Sequence, residues 1–397
     1  MHTQSNFRLL VVRLGAMGDI LHALPAVSAL RQAHPSWHIG WVIEPRWQPL
    51  LTAESKGASH PSGRKSPTGD PGREQGNEET EFAKARNFAM PARDPSTPVR
   101  DSAMPIVDRL HFASMREWKR HPFSPHTVSA VRALRHELRA SNYDAVLDFQ
   151  GAIRSGAIGA MAGCKRRIGE ARPREWPAHW LFTERIATHG VHVIEQDVEL
   201  ASAVAGDELA ATEPMLPLDP DAERWCDALL APHASGGAAR PVALIAPGAG
   251  WGAKRWLPER YAAVAQGLAD RGMRVFVNAA PGEESLATPI VATGAATSVS
   301  ATLPQLIALT RRISLCIAGD TGPLHLASAL VRPVVGIYGP TDPDRNGPYG
   351  TRARVLRSAG SRRAHSRRSD PDPGLLTITP DDVLRAADAL LAEERGQ

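Results

Sequence analysis

Cysteine is nearly absent from this 397-residue chain: Cys164, Cys226 and Cys316 lie far apart, with no CxxC spacing among them. Neither a disulfide framework nor a zinc site is suggested by that, and it suits a reducing cytoplasm. Also missing is any apolar run approaching the ~18 residues that a membrane span requires. The opening "MHTQSNFR" lacks the apolar core of a secretory leader, so the expectation is a soluble or at most peripheral protein. Aromatic residues make up only 5% of the chain. Basic residues are scattered and no aromatic platform interleaves them, which makes nucleic acid a poor partner. Charge of one sign is not in great excess either. The formal net charge of +4 favours anionic partners such as phosphates or an acidic membrane surface without choosing among them.

What is present is a strand and helix alternation long enough for two domains. Residues 8–13, "RLLVVR", read as a buried parallel strand, and after a glycine turn Ile20, Leu24, Val27 and Leu30 recur at helical steps. "HIGWVIE" (38–44) and "YDAVLDFQG" (143–151) offer further strands, the second preceded by a helix-like stretch at 129–141. A second series begins near 241. There "PVALIA" leads through a glycine-rich loop to a helix with Pro258 near its start, Gly272 past its end and Tyr261, Val264 and Leu268 as its buried stripe. The segments 313–330 and 333–343 repeat the strand, turn and helix pattern. Alternation of this kind predicts an α/β protein of two Rossmann-like, doubly wound domains facing a cleft. The first is expected over 1–210 and the second over 241–375, with a linker at 211–240 and a terminal helix at 376–397. Residues 52–105 are crowded with Ser, Pro, Gly and mixed charge and have no apolar period, so they read as a disordered surface insertion. The stretch 358–373 reads as a mobile basic loop.

Three constellations can carry chemistry. In "GDTGPLH" (319–325), Asp320 or Thr321 can cap a helix whose first turn holds Pro323, leaving backbone N–H groups and a positive dipole end that suit a diphosphate. An ordinary N-cap followed by a helix histidine reads equally well from this motif alone. "PGAGWGAKRW" (247–256) places glycines, Lys254 and Arg255 just beyond a strand; it is neither a Walker loop nor a dinucleotide fingerprint. Its glycines let a ligand approach the backbone and its lysine can neutralise a leaving phosphate, although a turn with a solvated basic pair is the plainer reading. In "RLGAMGD" (13–19), Gly15 and Gly18 permit a tight turn, and Asp19 is either a helix cap or a carboxylate base projecting into the cleft. "DPD" at 342–344 resembles a metal-binding DxD only superficially, since it follows "YGPT" in a turn-rich segment.

Taken together, "RLGAMGDILHALPAVSALR", "PGAGWGAKRW", "GDTGPLHLASAL" and "GIYGPTDPDRNGPYG" resemble the ADP-heptose lipopolysaccharide heptosyltransferases of glycosyltransferase family 9. The first motif is most similar to type I members and the nucleotide loop is closer to type II. The resemblance implies a GT-B fold and an inverting, metal-independent transferase with ADP-L-glycero-β-D-manno-heptose as donor. It implies Asp19 as the base, Lys254 opposite the diphosphate of the leaving ADP and Asp320 against the heptose. Thr321 and Gly322 would form the backbone cradle beneath the phosphates, with Gly250 also donor-binding, His325 at the family's spacing and Glu283 on the ribose. Arg13, Arg116, Arg120 and Arg174 fall where the family meets its acidic acceptor, whereas Glu117 and Gln196 stand where basic acceptor contacts are expected.

The activity so implied is heptose transfer to a Kdo residue of Kdo2-lipid A, at the cytoplasmic face of the inner membrane. Two alternatives stay open: a type II or related transferase with a heptose or other glycan acceptor, and a catalytically silent module that binds nucleotide-sugar.

Overall fold

The computed structural model describes residues 6–53, 105–231, 240–361 and 370–395. Residues 54–104 of the span read as an insertion, and 362–369 of the basic loop, lie outside the described residues. The chain divides into two compact units, with the boundary between Pro217 and Leu218.

The first unit runs β1 (Arg8–Val12), α1 (Met17–Ala33), β2 (His38–Ile43), β3 (Arg109–Phe112), α2 (Met115–Arg120), α3 (Pro125–Ala140), β4 (Ala145–Asp148), α4 (Ile153–Met161), β5 (Arg166–Glu170), β6 (Glu184–Ile186) and α5 (Val193–Ala205). Its six strands are ordered β3-β2-β1-β4-β5-β6, and every neighbouring pair is parallel. Central parallel strands are covered on both faces, which is why Leu9, Leu10, Val11 and Val12 form an unbroken apolar run and are all fully buried. The stripe Ile20, Leu24, Val27 and Leu30 of α1 is likewise without exposure, and α1 packs against α5. Helix α3 begins where Ser124 accepts a hydrogen bond from the Thr127 N–H at 3.1 Å and Pro125 takes the first helical position.

The second unit runs α6 (Pro220–Leu230), β7 (Val242–Ala246), α7 (Pro258–Asp270), β8 (Arg274–Asn278), α8 (Glu284–Val291), β9 (Ala296–Val299), α9 (Leu303–Arg311), β10 (Leu315–Gly319), α10 (Gly322–Ala329), β11 (Val334–Tyr338), α11 (Pro343–Asn346), β12 (Ala353–Arg357) and α12 (Pro380–Arg395). Its strand order is β12-β11-β10-β7-β8-β9, also parallel throughout. Within the span read as a linker, the Asp219 carboxylate accepts from the N–H groups of Asp221 and Ala222 and so starts α6, which buries Ala222 and Cys226. The terminal helix α12 opens on a reciprocal cap: Thr379 N–H donates to Asp382, and Asp382 N–H donates to the Thr379 hydroxyl. Val383, Ala387 and Leu390 then join Tyr261, Val264 and Leu268 of α7 in one core.

Counted from each unit's own first strand, both sheets read 3-2-1-4-5-6. In such sheets the connections diverge between strands one and four, and the loops at their carboxyl ends leave a crevice there. In the first unit those loops follow β1 and β4. In the second they follow β7 and β10.

Candidate active site

The loop after β7 turns through a short 3-10 helix, Gly252–Lys254, closed by the Arg255 N–H donating to the Gly252 carbonyl at 2.8 Å. This turn sends the Lys254 ammonium back over the Trp251 ring, 4.2 Å from its centroid. There it pairs with Asp320, the residue that follows β10. The other Asp320 oxygen meets His325 Nε2 at 3.0 Å, one turn into α10. Side chains of all three are nearly buried: 11% of Lys254, 7% of Asp320 and 6% of His325 is exposed. Burial alone would push the Asp320 carboxyl up. The hydrogen bond and charge of His325, with the charge of Lys254, outweigh it and hold this carboxyl well below the usual carboxylate range.

Helix α10 begins at Thr321, which caps it without a side-chain bond; its hydroxyl donates instead to the Gly319 carbonyl at 3.2 Å. The first-turn N–H groups are therefore not consumed by a capping side chain. Gly322 is half-buried beside them, and Gly250 is exposed with nothing within 4 Å of where a Cβ would stand. Glu283, in the loop after β8, lies against Gly248: a Cβ there would meet the Glu283 carboxylate, its Cδ at 2.9 Å, so any side chain would have to displace that carboxylate. Burial raises the Glu283 carboxyl, opposed by the Ala280 backbone and the charge of Arg255. The Asp342 carboxylate of "DPD" caps α11, accepting from the Asp344 N–H at 3.2 Å.

In the first unit, the loop between β1 and α1 folds around Gly15. Its φ of +144° lies in the region only glycine adopts readily, and a Cβ there would stand 2.6 Å from Trp47 Nε1. Asp19 does cap α1, its Oδ2 accepting from the Ala16 N–H at 3.0 Å. Its Oδ1 faces Arg13 Nη2 at 3.4 Å, and 37% of the side chain remains exposed. Arg13 is buried: its guanidinium donates to the Asp19 carbonyl at 3.2 Å and to the Phe149 carbonyl. The adjoining loop braces the same turn, because the Gln150 side chain accepts from the Leu14 N–H at 3.0 Å. Arg116 and Arg120 on α2 and Arg174 in the loop after β5 are exposed, all beyond strand carboxyl ends of the same sheet. Glu117 is engaged with His126 at 3.2 Å, and Gln196 donates to the Gly190 carbonyl at 2.9 Å.

Reading the sequence passed over two residues. Trp251 sits in the quoted glycine loop three positions before Lys254, and an aromatic at that spacing in a tight turn is the signal. Asp148 ends β4, fully buried; its Oδ1 accepts from the Gln150 and Gly151 N–H groups at 2.7 and 2.9 Å and from the Ser155 hydroxyl at 3.1 Å. Burial pushes it up to about 6 against those three bonds and the charge of Arg13. A polar residue closing an apolar strand, in "AVLDFQG", was the available clue.

Among the described residues no group of three or more potential ligands is arranged to hold a metal ion. The family model for glycosyltransferase family 9 (heptosyltransferase) matches residues 131–374, a span that holds Lys254, Asp320 and His325 and begins after Asp19. Lipopolysaccharide heptosyltransferase 1 of Escherichia coli O18:K1:H7 is 26% identical over 371 residues, covering 89% of this chain and 92% of that protein. Lipopolysaccharide heptosyltransferase 2 of Salmonella typhimurium is 27% identical over 294 residues, covering 67% and 81%. The solved structure of E. coli heptosyltransferase WaaC with ADP covers 97% of this chain and all of its own, at 23% identity and a TM-score of 0.69, and so shares the two-domain GT-B fold. A family match over more than half the chain, on a fold of this type, makes the protein a glycosyltransferase and a member of family 9, the heptosyltransferases.

Proposed function

We propose that the chain transfers L-glycero-D-manno-heptose from ADP-heptose, with inversion, to a Kdo residue of Kdo2-lipid A in lipopolysaccharide inner-core assembly. The observation that carries this reading is the buried Lys254, Asp320 and His325 cluster at the mouth of α10, a charged site prepared for a nucleotide-sugar in a family 9 chain. An ammonium has three donors; Asp320 takes one, and the others serve phosphate oxygens together with the first-turn N–H groups of α10. Glu283 receives the ribose hydroxyls beside Gly248, and Gly250, Thr321 and Gly322 line the phosphate path.

Asp19 takes the proton from the acceptor hydroxyl as its oxygen bonds to the anomeric carbon. The bond from that carbon to the β-phosphate oxygen breaks, and its electron pair leaves with ADP. Arg13 holds Asp19 in place, and losing water when the acceptor binds raises the basicity of this half-exposed carboxylate. Asp320 faces the positive charge that develops on the sugar ring. Arg116, Arg120 and Arg174 meet the acidic acceptor. Lys254 and the helix mouth supply the positive charge for the departing diphosphate, so this reading needs no divalent ion, and chelation by EDTA is expected to leave the rate unchanged. The enzyme works as a peripheral protein at the cytoplasmic face of the inner membrane; no helix among the described residues is long and apolar enough to cross one.

A second acceptor reading is favoured by one specific observation: where basic acceptor contacts are expected, Glu117 is paired with His126 of α3 and Gln196 with the Gly190 carbonyl just before α5. It makes a heptose the acceptor, as the name of the type 2 relative suggests. Incubation with ADP-heptose and either Kdo2-lipid A or its monoheptosylated form decides between them by which acceptor gains mass. Donor binding without ADP release on either acceptor would support the silent module instead.

A further inference from the structure

The segment joining β5 to β6 is built as a platform with two tryptophans on its outer side. Its 3-10 helix, Trp176–Leu181, is anchored from beneath. Ala178 is fully buried and Phe182 nearly so, and Leu181 packs so closely on α4 that a Cβ at Gly156 would stand 2.8 Å from its Cδ1. Glu175 fastens the front edge: its N–H donates to the Gly151 carbonyl at 2.8 Å, and its carboxylate accepts from the Ile153 N–H at 2.9 Å. Arg185 fastens the back, donating to the His179 carbonyl at 3.0 Å.

A helix already sealed this way has no need of further apolar side chains, yet Trp176 is 58% exposed and Trp180 is 71% exposed. Of the nine tryptophans in the chain, these two alone are exposed. Trp176 stacks on His179, with ring centroids 4.8 Å apart. Ile153, 46% exposed, adds an aliphatic side chain beside Glu175. Arg172 and Arg174 shortly precede this helix in the chain and Arg154 follows Ile153; Arg154 and Arg174 are exposed and Arg172 is partly so, while the Glu175 carboxylate is engaged with backbone.

We infer that this face seats the first unit on an anionic lipid bilayer, with Trp176 and Trp180 at the headgroup boundary and the arginines against lipid phosphates. Indole rings pair an apolar body with a polar N–H and favour that boundary, and surface arginines are drawn to acidic headgroups. Complementary charge decides for anionic lipid over a neutral surface. Because Arg174 extends from the carboxyl edge of the sheet that also carries Asp19, an acceptor that keeps its acyl chains in the bilayer presents its sugars at this edge. The inference rests on the reading that the acceptor is lipid-borne.

The test is sedimentation of the full chain with phosphatidylcholine vesicles, with and without phosphatidylglycerol. The wild-type chain is expected to bind the acidic vesicles in a salt-sensitive manner, and W176S/W180S to lose ~tenfold in partitioning. R154E/R172E is expected to remove the preference for phosphatidylglycerol. Transfer to a deacylated, water-soluble acceptor stays within ~twofold of wild type in both variants, because neither touches the reacting groups. Where the double tryptophan variant melts early, W180S alone carries the test.

Equal vesicle binding by wild type and W176S/W180S, or no wild-type binding to acidic vesicles, overturns the inference. So does concentration-dependent self-association that the tryptophan variant abolishes, which would assign the face to a second copy. Failure of the functional reading shows separately, as absence of transfer to the soluble acceptor, and leaves the vesicle result standing.

Discussion

Asp148 and Asp320 occupy matching places in the two units. Each stands at the carboxyl end of a fourth strand, next to the loop that leaves the first, and each is buried. In the second unit the first-strand loop delivers a cation, Lys254, directly onto the carboxylate, and His325 completes the pair. In the first unit the corresponding loop also carries a cation, Arg13, but it is directed to the Phe149 carbonyl and to Asp19. Asp148 is left with neutral donors on one oxygen, and its Oδ2 has no hydrogen-bond partner among the described residues. Burial therefore wins at Asp148, pushed up to about 6, and loses at Asp320. One topology thus supports two electrostatic designs: a buried cluster of opposite charges at Asp320, and a buried carboxylate held by neutral donors at Asp148.

The comparison breaks most sharply at Asp320. Replacing it with alanine leaves Lys254 buried without its counter-charge and is expected to cost ~3–5 kcal/mol in unfolding free energy, read from denaturant midpoints. An Asp320→Ala variant as stable as wild type would show that the pair carries no stability.

Next comes acid. Native Asp148 keeps its proton up to about 6, whereas the unfolded chain releases it near 3.8, so between these values the unfolded state binds fewer protons and stability falls as pH rises. About two pKa units correspond to on the order of 3 kcal/mol, lost by about pH 7. Asp320 runs the other way: its stabilisation is present above the unfolded carboxylate range and is lost as pH falls. Asp148→Asn should therefore remove the first slope and leave the second, and denaturation of both proteins across that range separates them.

Catalysis sharpens the contrast further. Asp19→Asn is expected to lower kcat by ~10²-fold or more while ADP affinity, measured by calorimetry, stays within ~twofold. Lys254→Ala is expected to weaken ADP binding by ~tenfold and slow turnover with it. Equal loss of ADP binding in the Asp19 variant would reduce that residue to a helix cap. The smallest effect belongs to the exposed Arg116 and Arg120, where alanine should raise the acceptor KM by ~threefold and leave donor affinity unchanged.

Much of this architecture was legible because central parallel strands must be apolar throughout. The stretches 8–13, 38–44 and 143–151 contain β1, β2 and β4, and 333–343 contains β11. Peripheral strands escaped notice. The sequence of β5 is "RRIGE" and that of β6 is "ERI", where half-exposed charges replace the apolar run. Helix α6 was hidden for a different reason: proline and aspartate at 219–220 mark a break in a linear reading, yet they are what starts that helix.

At the site, Lys254, Asp320 and His325 were readable because each lies within a few residues of a glycine turn. Their mutual pairing was not, since a 66-residue separation between Lys254 and Asp320 closes only in the folded sheet. The burial of Arg13 was equally invisible. Its partner, the Phe149 carbonyl, lies 136 residues away, and no side-chain pattern announces a backbone acceptor.

The indole of Trp251, lying 4.2 Å beneath the Lys254 ammonium, gives the molecule a built-in optical gauge. Indole emission responds to an electric field across the ring, so an arriving polyanion that draws the ammonium toward itself changes both wavelength and yield. Titrating ADP against wild type and Trp251→Phe, and subtracting one spectrum from the other, tests the proposed donor site with that single ring as a label-free meter.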